Sequence, residues 1–309
     1  MTNVDKLAIV GAGKWGKYLV RNFAEVLGER NITVCDSDTK RLNKVKRNHL
    51  EVETTQNEKK VLSDERITAL VIATPVSTHF DLTKRALKHD KHVLVERPLA
   101  KQIRNGAELV KLARSKDRTL MVDHLLEYHS AVETLKRKMD AGELGEIFYL
   151  HGQRLDLEDI ETDEDILWSL GSQEVSLILY LIGKVPNQVT THGGSYLRKE
   201  VGKEDTLFLN LEFEGGVKAH SHLSWLDPNK TRRMTVVGSK KMATFDDMES
   251  RNKLWVYDKG AEKSGGGGFQ VRYGDVHIPN ISLEEPMKKM CKHFLESINN
   301  GEAPRSDGV

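Results

Sequence analysis

Apolar and polar positions along this chain change their rhythm once. In the first part, short unbroken apolar runs recur at Leu7-Ala8-Ile9-Val10, Ile32-Thr33-Val34-Cys35, Ala69 to Ala73, Val93 to Val95 and Leu120-Met121-Val122. Runs of this kind predict strands buried on both faces. Between them lie helical patterns, one running through Ala24 and another from His79 to about His89. Strand and helix in alternation predict a doubly wound parallel sheet of α/β class, which we place at residues 1–123. After an amphipathic helix at Ser130 to Met139, closed by Gly142 and Gly145, strands predominate. They are predicted at Ile147–Leu155, Gln188–Tyr196, Thr206–Phe213, Val217–Trp225, Arg233–Val237 and Met242–Phe245. One apolar helix, Leu170 to Ile182 and bounded by Gly183, interrupts them, and Pro286–Ile298 predicts a last helix. Residues 124–309 therefore read as an α+β domain with a helix-covered sheet. Asp156–Asp165 reads as a solvated acidic loop, placed to cover a pocket at Trp168–Glu174, and Gly265–Gly268 as a flexible loop.

The first strand runs directly into Gly11-Ala12-Gly13-Lys14-Trp15-Gly16 and then a helix. A G-x-G-x-x-G segment between strand and helix is the dinucleotide-binding fingerprint: its glycines allow a tight turn and a close approach of backbone amides to a pyrophosphate. The second strand ends at Asp36, twenty residues after Gly16. That spacing suits a carboxylate accepting from the adenosine ribose hydroxyls, which favours NAD. Lys40 and Arg41 follow closely and suit a 2′-phosphate, so NADP stays open.

Composition narrows the function classes. The chain has 309 residues, a formal net charge of +1, 38% hydrophobic and 30% charged residues. Such a balance argues against a nucleic-acid or membrane partner held by bulk charge. No apolar run approaches the roughly 18 residues that span a bilayer. The N-terminus enters a strand without a secretory segment, and the cysteines, Cys35 and Cys291, lie far apart. A reduced, cytoplasmic protein is the expectation.

The segments GAGKWG, ATPVSTH and HVLVERPLA closely resemble the Gfo/Idh/MocA family, and the resemblance continues through AGELGEI to about Gly301. It implies an N-terminal Rossmann domain and a C-terminal α+β domain whose open, mostly antiparallel sheet mediates homodimer or homotetramer formation. It also implies hydride transfer between NAD(P) and a sugar or sugar-nucleotide carbon. Cofactor contacts are then expected at Gly11, Gly13, Lys14, Trp15, Gly16, Asp36, Ala73, Thr74, Pro75, His79, Glu96 and Arg97. Relatives usually continue from a similar SDG into one more helix, so this chain, ending Ser306-Asp307-Gly308-Val309, is short there.

Two departures bear on the chemistry. The family carries a lysine in the turn after its HVLVEKP-type strand, where this chain has Arg97. Arginine stays protonated and forks onto oxygen, but it is a poor base. The family commonly carries a histidine in a D-x-G-x-H-D pattern; Gln173 stands there, followed by Glu174. An amide binds an oxygen without relaying a proton. His124, Tyr128 and, if burial raises its pKa, Glu174 are the candidate substitutes, each against the plainer reading of packing. The same losses also fit a non-catalytic, dinucleotide-binding regulatory paralogue. Ser224 to Lys240 resembles the branch acting on nucleotide-linked amino sugars, which makes Lys230 and Arg232, with Arg233 beside them, candidate contacts to a diphosphate; Trp168, in the pocket segment Trp168–Glu174, is a further candidate substrate contact. His220 and His222 share one face of a strand, without an evident third metal ligand, so no metal site is expected.

Overall fold

A computed structural model describes residues 4–157, 165–264 and 267–308. Most of the acidic stretch 156–165, half of the glycine loop 265–268 and Val309 lie outside the described residues. The chain divides into two compact units, Met1–Tyr128 with Glu284–Val309, and His129–Leu283.

The first unit contains β1 (Leu7–Val10), α1 (Gly16–Leu27), β2 (Ile32–Cys35), α2 (Thr39–Asn48), β3 (Glu53–Thr55), α3 (Glu58–Ser63), β4 (Ala69–Ile72), α4 (His79–Lys88), β5 (His92–Glu96), α5 (Ile103–Ser115) and β6 (Leu120–Asp123). Its six strands are all parallel, in the order β3-β2-β1-β4-β5-β6. This is the dinucleotide-binding order, with its switch point between β1 and β4. The apolar runs explain the layering: every residue of β1, β2 and β4 is buried, because helices cover both faces.

The second unit contains α6 (Ser130–Asp140), β7 (Ile147–Leu155), α7 (Ser172–Ile182), β8 (Gln188–Gly194), β9 (Thr206–Glu212), β10 (Lys218–Ser224), β11 (Thr231–Gly238), β12 (Met242–Asp246), β13 (Leu254–Lys263) and β14 (Phe269–His277). Its eight-stranded sheet runs β14-β13-β12-β11-β7-β10-β9-β8 and is antiparallel except for β10 against β7. Here burial alternates along the strands, as in β9, where Leu207, Leu209 and Leu211 are buried and Phe208 is exposed. One face is packed and the other open. A π-helical turn, Leu167–Gly171, leads into α7.

The last helix, α8 (Pro286–Asn300), changes the expected division at residues 124–309: it belongs with the first unit. Phe294 packs edge-on against Phe23 of α1 at 6.4 Å, and Lys288 pairs with Glu25 at 2.8 Å. Beyond α8 the chain joins the edge of the sheet, Val122 donating its amide to Ser306 O at 2.8 Å. No helix among the described residues is long and apolar enough to cross a membrane.

Candidate functional site

The loops at the C-terminal ends of the parallel strands gather most of the predicted residues. Gly11 leaves β1 with φ +100°, and a Cβ there would lie 2.4 Å from Ala73 O. Gly16 opens α1, and its Cβ would lie 2.0 Å from Gly11 O. Both positions pack backbone on backbone and admit only glycine. Gly13 is different. Its Cβ would meet nothing nearer than Arg41 Nη1 at 3.7 Å, so the fold does not itself require glycine there. The N-cap of α1, Trp15, makes no side-chain capping bond, while the Lys17 and Tyr18 amides turn back to Gly13 O at 3.4 Å and Trp15 O at 2.9 Å. Lys14 is exposed, and Trp15 is exposed beside Tyr18, 6.2 Å between ring centroids.

Asp36, at the end of β2, is buried and holds this loop. It accepts from Ala12 N–H at 2.7 Å and from Asp38 N–H at 2.8 Å. Arg41 Nη1 lies 3.5 Å from Asp36 Oδ2. An open Gly13 at the entry to α1 and a fixed carboxylate together fit a dinucleotide pyrophosphate and ribose.

Ala73, Thr74 and Pro75 follow β4, and Thr74 shares a hydroxyl bond with Thr78 at 2.6 Å. His79 does not reach out of this turn. It is 1% exposed, with Nδ1 2.8 Å from Pro98 O and Nε2 2.9 Å from Thr74 O. It ties the turn after β4 to the turn after β5 and offers a cofactor no free ring nitrogen. Burial lowers its pKa against the pull of the two carbonyls.

The strand ends of β5 and β6 bring Glu96 opposite Asp123, with Arg97 and His124 beside them. Asp123 is 5% exposed. Burial and the facing Asp123 push Glu96 well above the usual carboxylate range, and Arg97 only partly opposes them. Burial also raises Asp123, again against Arg97. Burial, then the Arg97 charge, pushes His124 down to about 4, which keeps its imidazole neutral at neutral pH. Asp123 was not among the sequence candidates; its only signal was a second acid ending a buried strand.

Tyr128 turns away from these loops. It is 1% exposed, its hydroxyl 3.2 Å from Ser306 Oγ and its ring 4.7 Å beneath the Arg305 guanidinium. It secures the chain's final segment rather than offering a reactive hydroxyl.

In the second unit, Gln173 and Glu174 occupy the first turn of α7, and both are buried. Glu174 sinks into the sheet: Oε2 lies 3.6 Å from Arg154 Nε, and Ser221 Oγ donates to Oε1 at 3.3 Å. A Cβ at Gly152 would lie 2.1 Å from Oε1, so that glycine makes the room. Burial does raise its pKa, with Arg154 opposing, but the carboxyl serves as the partner of a buried arginine. Trp168 is half-buried in the π-helical turn. Lys230 and Arg232 converge on Asp156, at 2.8 and 3.9 Å, and Arg233 on Asp246 at 2.7 Å. His220 bonds to Asn210 at 3.1 Å, and His222 stacks on Phe208 at 4.3 Å. These two are neighbours on the open sheet face.

Comparisons with known proteins agree with this geometry. Residues 6–124 match the model of an oxidoreductase family with an NAD-binding Rossmann fold. Residues 132–244 match the GFO/IDH/MocA C-terminal domain. The NAD(+)-dependent scyllo-inositol 2-dehydrogenase of Bacillus subtilis is 24% identical over 98% of this chain and 89% of its own. The 2,7-anhydro-N-acetylneuraminate hydratase of Escherichia coli is 26% identical over 80% of this chain and 69% of its own. Among solved structures, UDP-N-acetylglucosamine 3-dehydrogenase from Acidithiobacillus ferrooxidans superposes with TM-score 0.81 at 22% identity, covering 98% of this chain and 92% of that one.

Proposed function

This chain belongs to the Gfo/Idh/MocA oxidoreductase family, with its NAD-binding Rossmann domain, and on that premise we propose that it interconverts a hydroxyl and a carbonyl on a sugar or sugar nucleotide. The observation that carries the reading is the division of labour among the three loop glycines. Gly11 and Gly16 are demanded by the fold, whereas at Gly13 the fold leaves room for a side chain, so a close-lying ligand is the reason we assign to its glycine.

NAD, when bound, supplies the hydride acceptor or donor. The backbone from Ala12 to Gly16 and the first turn of α1 bind the pyrophosphate, and Asp36 receives the adenosine ribose hydroxyls on its remaining lone pairs. Arg41, already against Asp36, is the group that would admit a 2′-phosphate and so NADP. Arg97 binds and polarises the reacting oxygen through its fork of donors and does not exchange protons. Lys230 and Arg232 bind a diphosphate only by giving up part of their pairing with Asp156.

The inositol and amino-sugar nucleotide relatives support a ring-hydroxyl substrate, and the family resemblance supports a homo-oligomer assembled through the open sheet, which sedimentation would test. Titration calorimetry with NAD+, NADH and NADP+, followed by turnover on cyclitols and UDP-amino sugars, tests the whole reading. Saturable NAD+ binding with NADH formation is the expected result. Product formed without net change in nicotinamide absorbance would place the chain beside the hydratase relative instead.

A further inference from the structure

Rested on this dehydrogenase reading, one proton has no assigned place. Oxidation of a hydroxyl breaks a C–H bond, whose electron pair leaves as hydride, and an O–H bond, whose proton must pass to the protein. Arg97 stays protonated throughout, and an amide at Gln173 carries no proton. Glu174 is engaged with Arg154, and Tyr128 with Ser306.

The strand ends beside Arg97 supply a carrier. Parallel pairing sets Glu96 directly opposite Asp123, so two carboxyls from neighbouring strands meet at the sheet's C-terminal edge. Burial and the facing Asp123 charge hold Glu96 as the protonated member. Carboxyls that share a buried site cannot both be charged without a large penalty, so such a pair retains one proton. Glu96 Oε1 is buried without a hydrogen-bond partner, as is His124 Nδ1 beside it. A fold that needed only a strand-end hydrogen bond would not require a second buried acid here. The other charged or titratable groups facing the pair are Arg97, His124 and, from α8, Cys291. His124 is neutral, and burial with the Asp123 charge holds the Cys291 thiol protonated, so Arg97 is the counter-charge.

We propose that Glu96 and Asp123 form a one-proton store that replaces the missing lysine and histidine as the enzyme's proton carrier. In the reducing direction the Glu96 proton passes to the carbonyl oxygen as hydride reaches the carbon, which leaves two carboxylates against Arg97. In the oxidising direction the doubly ionised pair takes the hydroxyl proton as hydride departs. A lone carboxyl beside an arginine would ionise far below neutrality, hold no proton at pH 7 and be a weak base; the second carboxyl brings the proton affinity into the working range. The oxidised nicotinamide, being cationic, favours the doubly ionised pair, so NAD+ binding expels the stored proton and NADH binding does not.

Two measurements on the full chain test this. Carboxyl carbon NMR of the cofactor-free protein, labelled in Glu and Asp, reads protonation directly. The wild type shows one carboxyl protonated at pH 7, and in Asp123→Asn the Glu96 proton affinity falls by at least about tenfold. Glu96→Gln, a second variant should the first not fold, removes the stored proton and leaves Asp123 ionised at pH 7. Proton release during NAD+ titration in weak buffer then reads the coupling: about one proton per site from wild type and none from Asp123→Asn with NAD+ still bound. A pair fully ionised at pH 7, or equal release from wild type and variant, overturns the proton store while leaving the dehydrogenase reading in place. Failure of the wild type to bind NAD+ is a distinct result: it removes that reading, and the pair's function with it.

Discussion

Replacing Gly13 or Gly16 by alanine separates a ligand requirement from a folding requirement within one loop. At Gly13 the added methyl carbon meets only Arg41 Nη1, at 3.7 Å, an ordinary contact with a movable side chain. Gly13 also lacks a positive φ. Where glycine's conformational freedom is not used, alanine stabilises by about 0.4–1 kcal/mol through the unfolded chain. For a unit of this size that is a rise in Tm of no more than about 4 °C. The same methyl lies on the surface assigned to the pyrophosphate. Overpacking a close contact costs about 1–3 kcal/mol, which weakens NAD+ by roughly 5- to 150-fold. At Gly16 the methyl carbon would lie 2.0 Å from Gly11 O, a backbone atom tied into the sheet through the Gly11 N–H to Cys35 O bond of 2.8 Å. Helix and strand must part, at about 3 kcal/mol or more, a fall in Tm of at least about 6 °C. Differential scanning calorimetry and NAD+ titration on both variants give the comparison. Gly13→Ala binding NAD+ within twofold of wild type, at unchanged Tm, would refute the assignment of the loop.

Three further outcomes follow from side-chain environments. Glu174→Ala removes the carboxylate partner of buried Arg154 and should cost about 3–5 kcal/mol in urea unfolding. Tyr128→Phe deletes the 3.2 Å contact with Ser306 and should cost about 1 kcal/mol while leaving NAD+ affinity unchanged by calorimetry. His92, 7% exposed, accepts Thr119 N–H on Nδ1 at 3.0 Å, and burial with the nearby Arg118 charge pushes its pKa down to about 4. The unfolded chain therefore binds the extra proton first. Its contribution is fully present above about pH 6.5 and falls by up to ~3 kcal/mol as pH drops through 4. His92→Asn keeps an acceptor for Thr119 and should flatten that acid slope in unfolding titrations.

The parallel domain was legible because its strands are unbroken apolar runs between helices, and the glycine motif announced its own loop. What sequence left obscure depends on pairings distant along the chain. Pro286–Ile298 has the apolar face of a packed helix, yet nothing local says that Phe294 meets Phe23 and not a strand of the domain that precedes it in sequence. β13 and β14 were not anticipated, although Leu254-Trp255-Val256-Tyr257 and Phe269-Gln270-Val271 carry strand-forming residues; charges and glycines after Tyr257 break the alternation. Glu174 is exposed as a candidate only while Gly152 is unknown as its neighbour, because the hollow that receives it is made by a missing side chain on another strand. His79 looked like a cofactor contact for the same reason: its two carbonyl partners come from separate turns. Asp123 acquires meaning through its strand register with Glu96, a pairing that spans a whole helix.

The central claim is that this chain transfers hydride between NAD and a ring carbon of a sugar or sugar nucleotide. Its most direct test is absorbance of the reduced nicotinamide when purified protein and NAD+ meet a panel of cyclitols, sugars and UDP-amino sugars. The account predicts NADH formation with at least one member, needing more NAD+ in Gly13→Ala without a fall in thermal stability. Saturable NAD+ binding with no product from any member, by absorbance or by mass, would contradict it and leave a dinucleotide-binding protein without hydride transfer.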